Sequence, residues 1–174
     1  LLVRLLVSGV QQVITEITEA SPDQAALVHS IMRAAFAEYL GQLNPASPCH
    51  TESLEQVEAA MHDGGAILAW VDGVPVGSAR YAFYSGSFYV GRVSVLPEYR
   101  GCGVARAMMQ FLEAVARHAG CPQMELCSRL NLPRNIALYE RLGYHITDTW
   151  QVAPDADVQV KMMKPLAMPV LATA

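Results

Sequence analysis

The sequence predicts an α/β domain built as one mixed sheet with helices on both faces. Three observations predict it. Apolar periodicity along the chain follows the order strand, two helices, three strands, helix, strand, helix, two strands. Asp72-Gly73 joins two strand-like runs, a strong hairpin signal. A strand then turns sharply into a helix through the glycine-containing stretch Val93 to Ala105. With 174 residues, 52% of them hydrophobic and 16% charged, the chain has the material for one domain with a sizeable core and no need of disulfides or a structural metal.

Each element follows from local chemistry. Gln12 to Ile17 alternates and is β-branched, as a first strand should be. Ser21-Pro22-Asp23-Gln24 then reads as a helix start, with Ser21 as N-cap, Pro22 in the first turn and Gln24 reaching back in a capping box. Leu27, Ile31, Ala35 and Tyr39 recur every four residues, which carries this helix to about Leu40. Asn44 to Cys49 is a loop, and Thr51 is the expected cap of a second helix bearing Leu54, Val57 and Met61 and stopped by Gly64-Gly65. Ala66 to Val71, Val74 to Phe83 and Ser87 to Leu96 form an expected meander. Gly103 to His118 is a long helix with Val104, Met108, Phe111 or Leu112, and Val115 on its buried face, ended by Gly120 and Pro122. Met124 to Ser128 is a strand, Pro133 to Leu142 a helix, and Tyr144 to Thr147 and Val158 to Met163 are late strands. The domain is expected over residues 12–165, with a leader over 1–11 and a tail over 166–174.

Composition narrows the function classes. A formal net charge of -4 with scattered Lys and Arg gives no footprint for nucleic acid. Cys49, Cys102, Cys121 and Cys127 form no C-x-x-C pair and lie at no zinc-like spacing from His, which fits reduced thiols, a cytoplasmic location and no metal site. Leu1 to Val10 is apolar but is interrupted by Arg4 and is half the ~20 residues of a membrane span, so no membrane partner is expected.

The informative stretch is Val93-Ser94-Val95-Leu96-Pro97-Glu98-Tyr99-Arg100-Gly101-Cys102-Gly103-Val104-Ala105. Gly101 and Gly103 let backbone N–H groups approach an anion without Cβ obstruction, and the helix starting there aims its unpaired N–H groups and positive dipole end at the same point. A pyrophosphate would fit. A Walker loop is excluded because no Gly-Lys-Ser/Thr follows, and a dinucleotide fingerprint starting at Gly101 meets Arg106 where a small residue is required.

Arg100-x-x-Gly103-x-Ala105 resembles the acyl-CoA signature of the GNAT acetyltransferases, Arg/Gln-x-x-Gly-x-Gly/Ala. Asn135-Ile136-Ala137-Leu138-Tyr139-Glu140-Arg141-Leu142-Gly143-Tyr144 is similar to their second signature, Leu-Tyr-Glu-x-x-Gly-Phe/Tyr. The resemblance extends loosely over Gln12 to Pro165. It implies a mostly antiparallel sheet opened by a bulge in the fourth strand, acetyl-CoA as cosubstrate, and transfer of its acetyl group to a primary amine by direct attack. By the same resemblance Val93 and Val95 supply main-chain bonds to pantetheine, and Arg100, Gly101, Gly103, Val104 and Ala105 hold the pyrophosphate. Tyr139 would protonate or bond the departing thiolate; its alternative is an aromatic packed in the core. Many relatives carry Asn seven residues before that Tyr, where this chain has Leu132. Asn135, one helical turn before Tyr139, is the better candidate for CoA, and Asn131 is expected to cap the helix.

The general base stays open, because Ser87 to Leu96 contains no Asp or Glu. An alkylammonium, with a pKa of about 10.4, must lose a proton before attack. Glu98 reads as solvated. Ser94 is placed to position a water, and His50 and Glu52 either face the acceptor or lie on the surface. Arg92 either binds an acidic acceptor or pairs with a neighbouring carboxylate. Cys102 is either a thiol activated by the helix terminus or a small residue filling the turn. The acceptor is a small molecule or amino acid, or else a protein α-amine or lysine; a non-catalytic acyl-CoA sensor is the alternative from another class. The resemblance also implies a possible homodimer through late strands, Val158 to Met163 being apolar.

Overall fold

A computed structural model describes residues 15–84 and 86–167. The expected leader, the start of the strand expected from Gln12, and most of the expected tail lie outside them. The elements are β1 (Thr15–Glu19), α1 (Ala25–Phe36), α2 (Leu54–Asp63), β2 (Gly65–Val71), β3 (Val74–Tyr84), β4 (Ser87–Val95), α3 (Val104–His118), β5 (Gln123–Arg129), α4 (Pro133–Arg141), β6 (His145–Trp150) and β7 (Gln159–Pro165). They form a seven-stranded sheet in the order β1-β2-β3-β4-β5-β7-β6. Every neighbouring pair is antiparallel except β4 and β5. This is the mixed, mostly antiparallel α/β architecture that the sequence predicts.

Local chemistry explains the boundaries. The Ser21 N–H donates to Gln24 Oε1 at 3.0 Å, the capping box expected there, and a 3-10 turn over Pro22–Gln24 leads into α1. The second cap falls two residues later than expected. Pro48–His50 winds its own 3-10 turn and takes the Thr51 N–H at 3.0 Å, so Ser53 caps α2 and exchanges bonds with Gln56. Asn131 does not cap α4: the N-cap is Leu132, without a side-chain bond, and the Asn131 side chain is turned to Asp157.

The sheet separates two cores. On one face α3 buries Val104, Met108, Phe111 and Leu112 against Ile67, Val76, Phe88, Met124 and Leu126. Each such side chain contributes about 1.5–3 kcal/mol on burial. On the other, α1 and α2 bury Val28, Ile31, Met32 and Val57 against Ala66 and Leu68. The apolar run at the chain's end makes β7, which lies between β5 and β6 with both ladders filled. A partner chain could not pair with it, and the free edge on that side is β6. No helix among the described residues is long and apolar enough to cross a membrane.

Candidate active site

The parallel ladder between β4 and β5 is short. It joins Phe88 to Met124, Tyr89 to Glu125 and Val90 to Leu126, and then stops. Beyond Val90 the strands part, because β4 carries a bulge: between the pairs Ser78–Ser94 and Arg80–Gly91, Ala79 alone faces both Arg92 and Val93. Arg92 adopts φ 56°, a left-handed conformation rare for a side-chain-bearing residue. The Leu96 N–H bonds the Val76 carbonyl at 2.9 Å. By the alternation of an antiparallel ladder, Val95 opposite Gly77 is therefore a non-bonded position, and its N–H and C=O point away from β3 into the gap.

The glycine turn closes one end of this gap. Gly101 and Gly103 have φ of 76° and 87°. A Cβ at either would meet no atom within 4 Å, so backbone conformation demands glycine and the space above the turn is open. The first bond into α3 runs from the Ala107 N–H to the Gly103 carbonyl at 3.0 Å. The N–H groups of Val104, Ala105 and Arg106 are thus left without helical partners and face an anion site.

Gap and turn belong to one cleft of about 550 Å³, bordered by Val93, Ser94 and Val95, by Gly101, Gly103, Val104 and Ala105, and by Asn135, Leu138 and Tyr139 of α4. Phe36, the last residue of α1, and Tyr39, just past it, cover it. Arg106, Arg134 and Arg141 line it without an ion-pair partner among the described residues, which makes the cleft attractive to phosphates. Arg100 also lines it, but its side chain is engaged by protein. Nε donates to the Val95 carbonyl at 3.0 Å, Nη2 to the Ala35 carbonyl at 2.9 Å, and Nη1 pairs with Glu38.

Tyr139 is 8% exposed, with Tyr144 edge-on at 5.9 Å between ring centres. Burial, and to a lesser degree the nearby Tyr39 phenol, pushes its pKa up to about 12, so it holds its proton at neutral pH. The Asn135 side chain reaches toward the Tyr39 hydroxyl. Every residue expected to bind the cofactor borders this cleft, together with Tyr139. Tyr39, Arg106, Arg134 and Arg141 border the cleft too, although the sequence motifs assign them no role there. The spacing of Arg134, Leu138 and Arg141 on the helix that carries Asn135 held the signal for two of them.

The profile of the Acetyltransferase (GNAT) family matches residues 28–144, more than half of the chain. The chain belongs to the GNAT acetyltransferase family. Acetyltransferases from Yersinia pestis and Yersinia pseudotuberculosis are 36% identical over 85 residues, which cover 48% of this GNAT chain and 59% of theirs. The match thus spans somewhat over half the length of these curated relatives. Among solved structures, the ribosomal-protein-S18-alanine N-acetyltransferase from Escherichia coli superposes with a TM-score of 0.74 at 17% identity, covering 92% of this chain and 99% of that one. The yncA protein of Salmonella typhimurium, solved with its cofactor acetyl-CoA, gives 0.71 at 18% identity over 92% and 98%. At such identity these likenesses concern the fold.

On the α1–α2 face of the GNAT sheet lies a second group of polar residues. The Glu52 carboxylate is held by Arg80 Nη2 at 2.7 Å and Arg92 Nε at 3.2 Å. Burial works against its charge, but the Arg80 hydrogen bond and the charges of both arginines outweigh it and lower its pKa. Arg92 thus pairs with a neighbouring carboxylate, one of its two expected roles, through Nε alone. The His50 ring is turned inward, with a buried Nε2 that has no partner among the described residues. Burial pushes up the phenol of Tyr89, which lies near Cys127 beside the point where β4 and β5 part. Glu98 is exposed, and the Cys102 thiol points to the Arg100 carbonyl at 3.6 Å. Ser94 Oγ is spent on the Arg92 carbonyl at 2.8 Å. Finally, two loops clasp: the Asn44 N–H donates to Asp157 Oδ2 at 2.9 Å, Asn44 Nδ2 to the Asp155 carbonyl at 3.0 Å, and Arg129 Nη1 to Asp157 Oδ2 at 2.8 Å.

Proposed function

We propose that this GNAT chain is an N-acetyltransferase that moves the acetyl group of acetyl-CoA to a primary amine of a small molecule or amino acid. The observation that carries the reading is a gap in the sheet that runs into a glycine turn, where the first three N–H groups of α3 have no partner among the described residues. The residues fit the group: open space lies above Gly101 and Gly103, and Arg106, Arg134 and Arg141 supply charge for phosphates. Val93 and Val95 would offer main-chain bonds to the pantetheine amides, as a strand edge does. Acetyl-CoA, when bound, supplies an acyl group already activated as a thioester.

The chain's own chemistry follows from placement. The Val95 N–H, directed into the gap, is available to polarise a carbonyl there. Tyr139, protonated at neutral pH, can hand a proton to a leaving thiolate. Among the described residues no carboxylate at the cleft is free to act as base, since Glu38, which lines it, is paired with Arg100 and Glu52 is held between two arginines, so the amine proton leaves to water. That same lack favours one alternative, an acyl-CoA sensor without turnover.

Calorimetric titration with acetyl-CoA tests the reading. We expect saturable binding, weakened at least ~10-fold by Gly103→Val, since a β-branched residue at φ 87° forces the turn to rearrange. A folded protein that does not bind would refute it. Binding without amine-dependent CoA release against a broad amine panel would establish the sensor.

A further inference from the structure

Resting on that reading, we infer that Arg92 recognises a carboxylate on the acceptor, so that the amine is carried by an amino acid in its acid form. The bulge alone would be met with less strain by glycine, because a left-handed backbone costs a side-chain-bearing residue ~1 kcal/mol or more. What arginine adds at φ 56° is its guanidinium.

Its position suits an acceptor. Arg92 adjoins Val93, whose main chain borders the gap, and its side chain reaches Glu52 on the α1–α2 face of the sheet, away from α3. An amine approaching the gap from the face not occupied by the cofactor meets this side chain beside it. Only Nε is engaged, at 3.2 Å from Glu52 Oε2, and the side chain is 30% exposed. The two terminal nitrogens, the pair that grips a carboxylate in parallel bonds, have no partner among the described residues.

Charge agrees. Arg80 and Arg92 share the single carboxylate of Glu52, which leaves one positive charge, and Arg80 is the inner partner, at 10% side-chain exposure. Among the described residues the other titratable groups that face Arg92 are the Cys49 thiol and the Tyr89 phenol; burial raises the pKa of each, so neither brings a competing anion at neutral pH. His50, with a buried nitrogen, lies in the turn just before Glu52. A polyamine or lysine side chain would bring a second cation against this group and be repelled.

The test compares α-amino acids of acidic, basic, aromatic and aliphatic side chain, each as free acid and as its carboxamide, with spermidine alongside. CoA release is read by chromatography, because exposed Cys102 and Cys127 would react with a disulfide reagent. Amides lose the neighbouring carboxylate and so present more neutral amine at a given pH; intrinsic reactivity therefore runs against the expected preference. We expect the best acid to exceed its amide at least ~10-fold in kcat/KM, the loss of a charged partner commonly costing more than that. In Arg92→Gln the ratio should fall to one or below while the acetyl-CoA Kd stays unchanged, and Arg92→Lys, which keeps the charge without the planar fork, should lie between and serves if the first variant does not fold. Turnover of amides or spermidine as good as that of the acids, an unchanged ratio in both variants, or no turnover of any acid by protein that binds acetyl-CoA would overturn the inference while leaving cofactor binding intact. Absence of acetyl-CoA binding would sink the acetyltransferase reading as well.

Discussion

At the scale of single residues, Tyr139 and Arg100 show what a motif transmits and what it leaves out. Tyr139 was legible as a cleft residue because its signature fixes a helix face. Its proton affinity was not, since that comes from burial and from Tyr39, a residue the sequence presents only as part of an apolar stripe. With a pKa of about 12, the phenol should not limit the alkaline side of the pH profile. The rate should rise as the amine deprotonates and stay level to the limit of stability. Tyr139→Phe should lower kcat ~100-fold without changing the acetyl-CoA Kd. An alkaline limb near pH 9 that disappears in the variant would show that the proton is held less tightly. The lack of a base on β4 was legible too, whereas the capture of Glu52 by two arginines depends on residues 28 and 40 positions away and was not.

At the scale of elements, Arg100 acts as a fastener between α1 and β4, bonding Ala35 and Val95 and pairing with Glu38. Its motif position implies a cofactor contact, but nothing local in the sequence could reveal that its side chain reaches the end of a helix 65 residues earlier. We expect Arg100→Ala to cost about 2 kcal/mol, the two bonds to carbonyls counting for most of it and the partly exposed ion pair for little. Thermal denaturation should register a fall of ~4–8 °C in Tm. If the side chain served phosphate alone, Tm would stay put and the acetyl-CoA Kd would rise instead. Helix and strand periods were read to within a few residues, because side-chain alternation and caps are local. The shift of the second cap from Thr51 to Ser53 came from the Pro48 turn, whose bond to Thr51 competes with capping.

At the scale of the whole molecule, the order of strands was the least legible feature. Both late strands were seen, but nothing in their composition says that β7 enters between β5 and β6. The consequence is measurable: a chain ending at Ala156 would leave β5 with an open edge and β6 without a partner. It should show neither a cooperative thermal transition nor acetyl-CoA binding, by circular dichroism and calorimetry. Retention of both would mean that β1 to β5 form an independent unit. The same arrangement bears on how the protein is made. One wall of the gap, β5, has only a short ladder with β4 and is held along its whole length by β7, a strand made later, and that pairing must span the whole of α4 and β6. A nascent chain therefore carries the glycine turn and both arginines of the Glu52 pair well before it has a cleft, and its competence to bind begins only once synthesis has delivered β7.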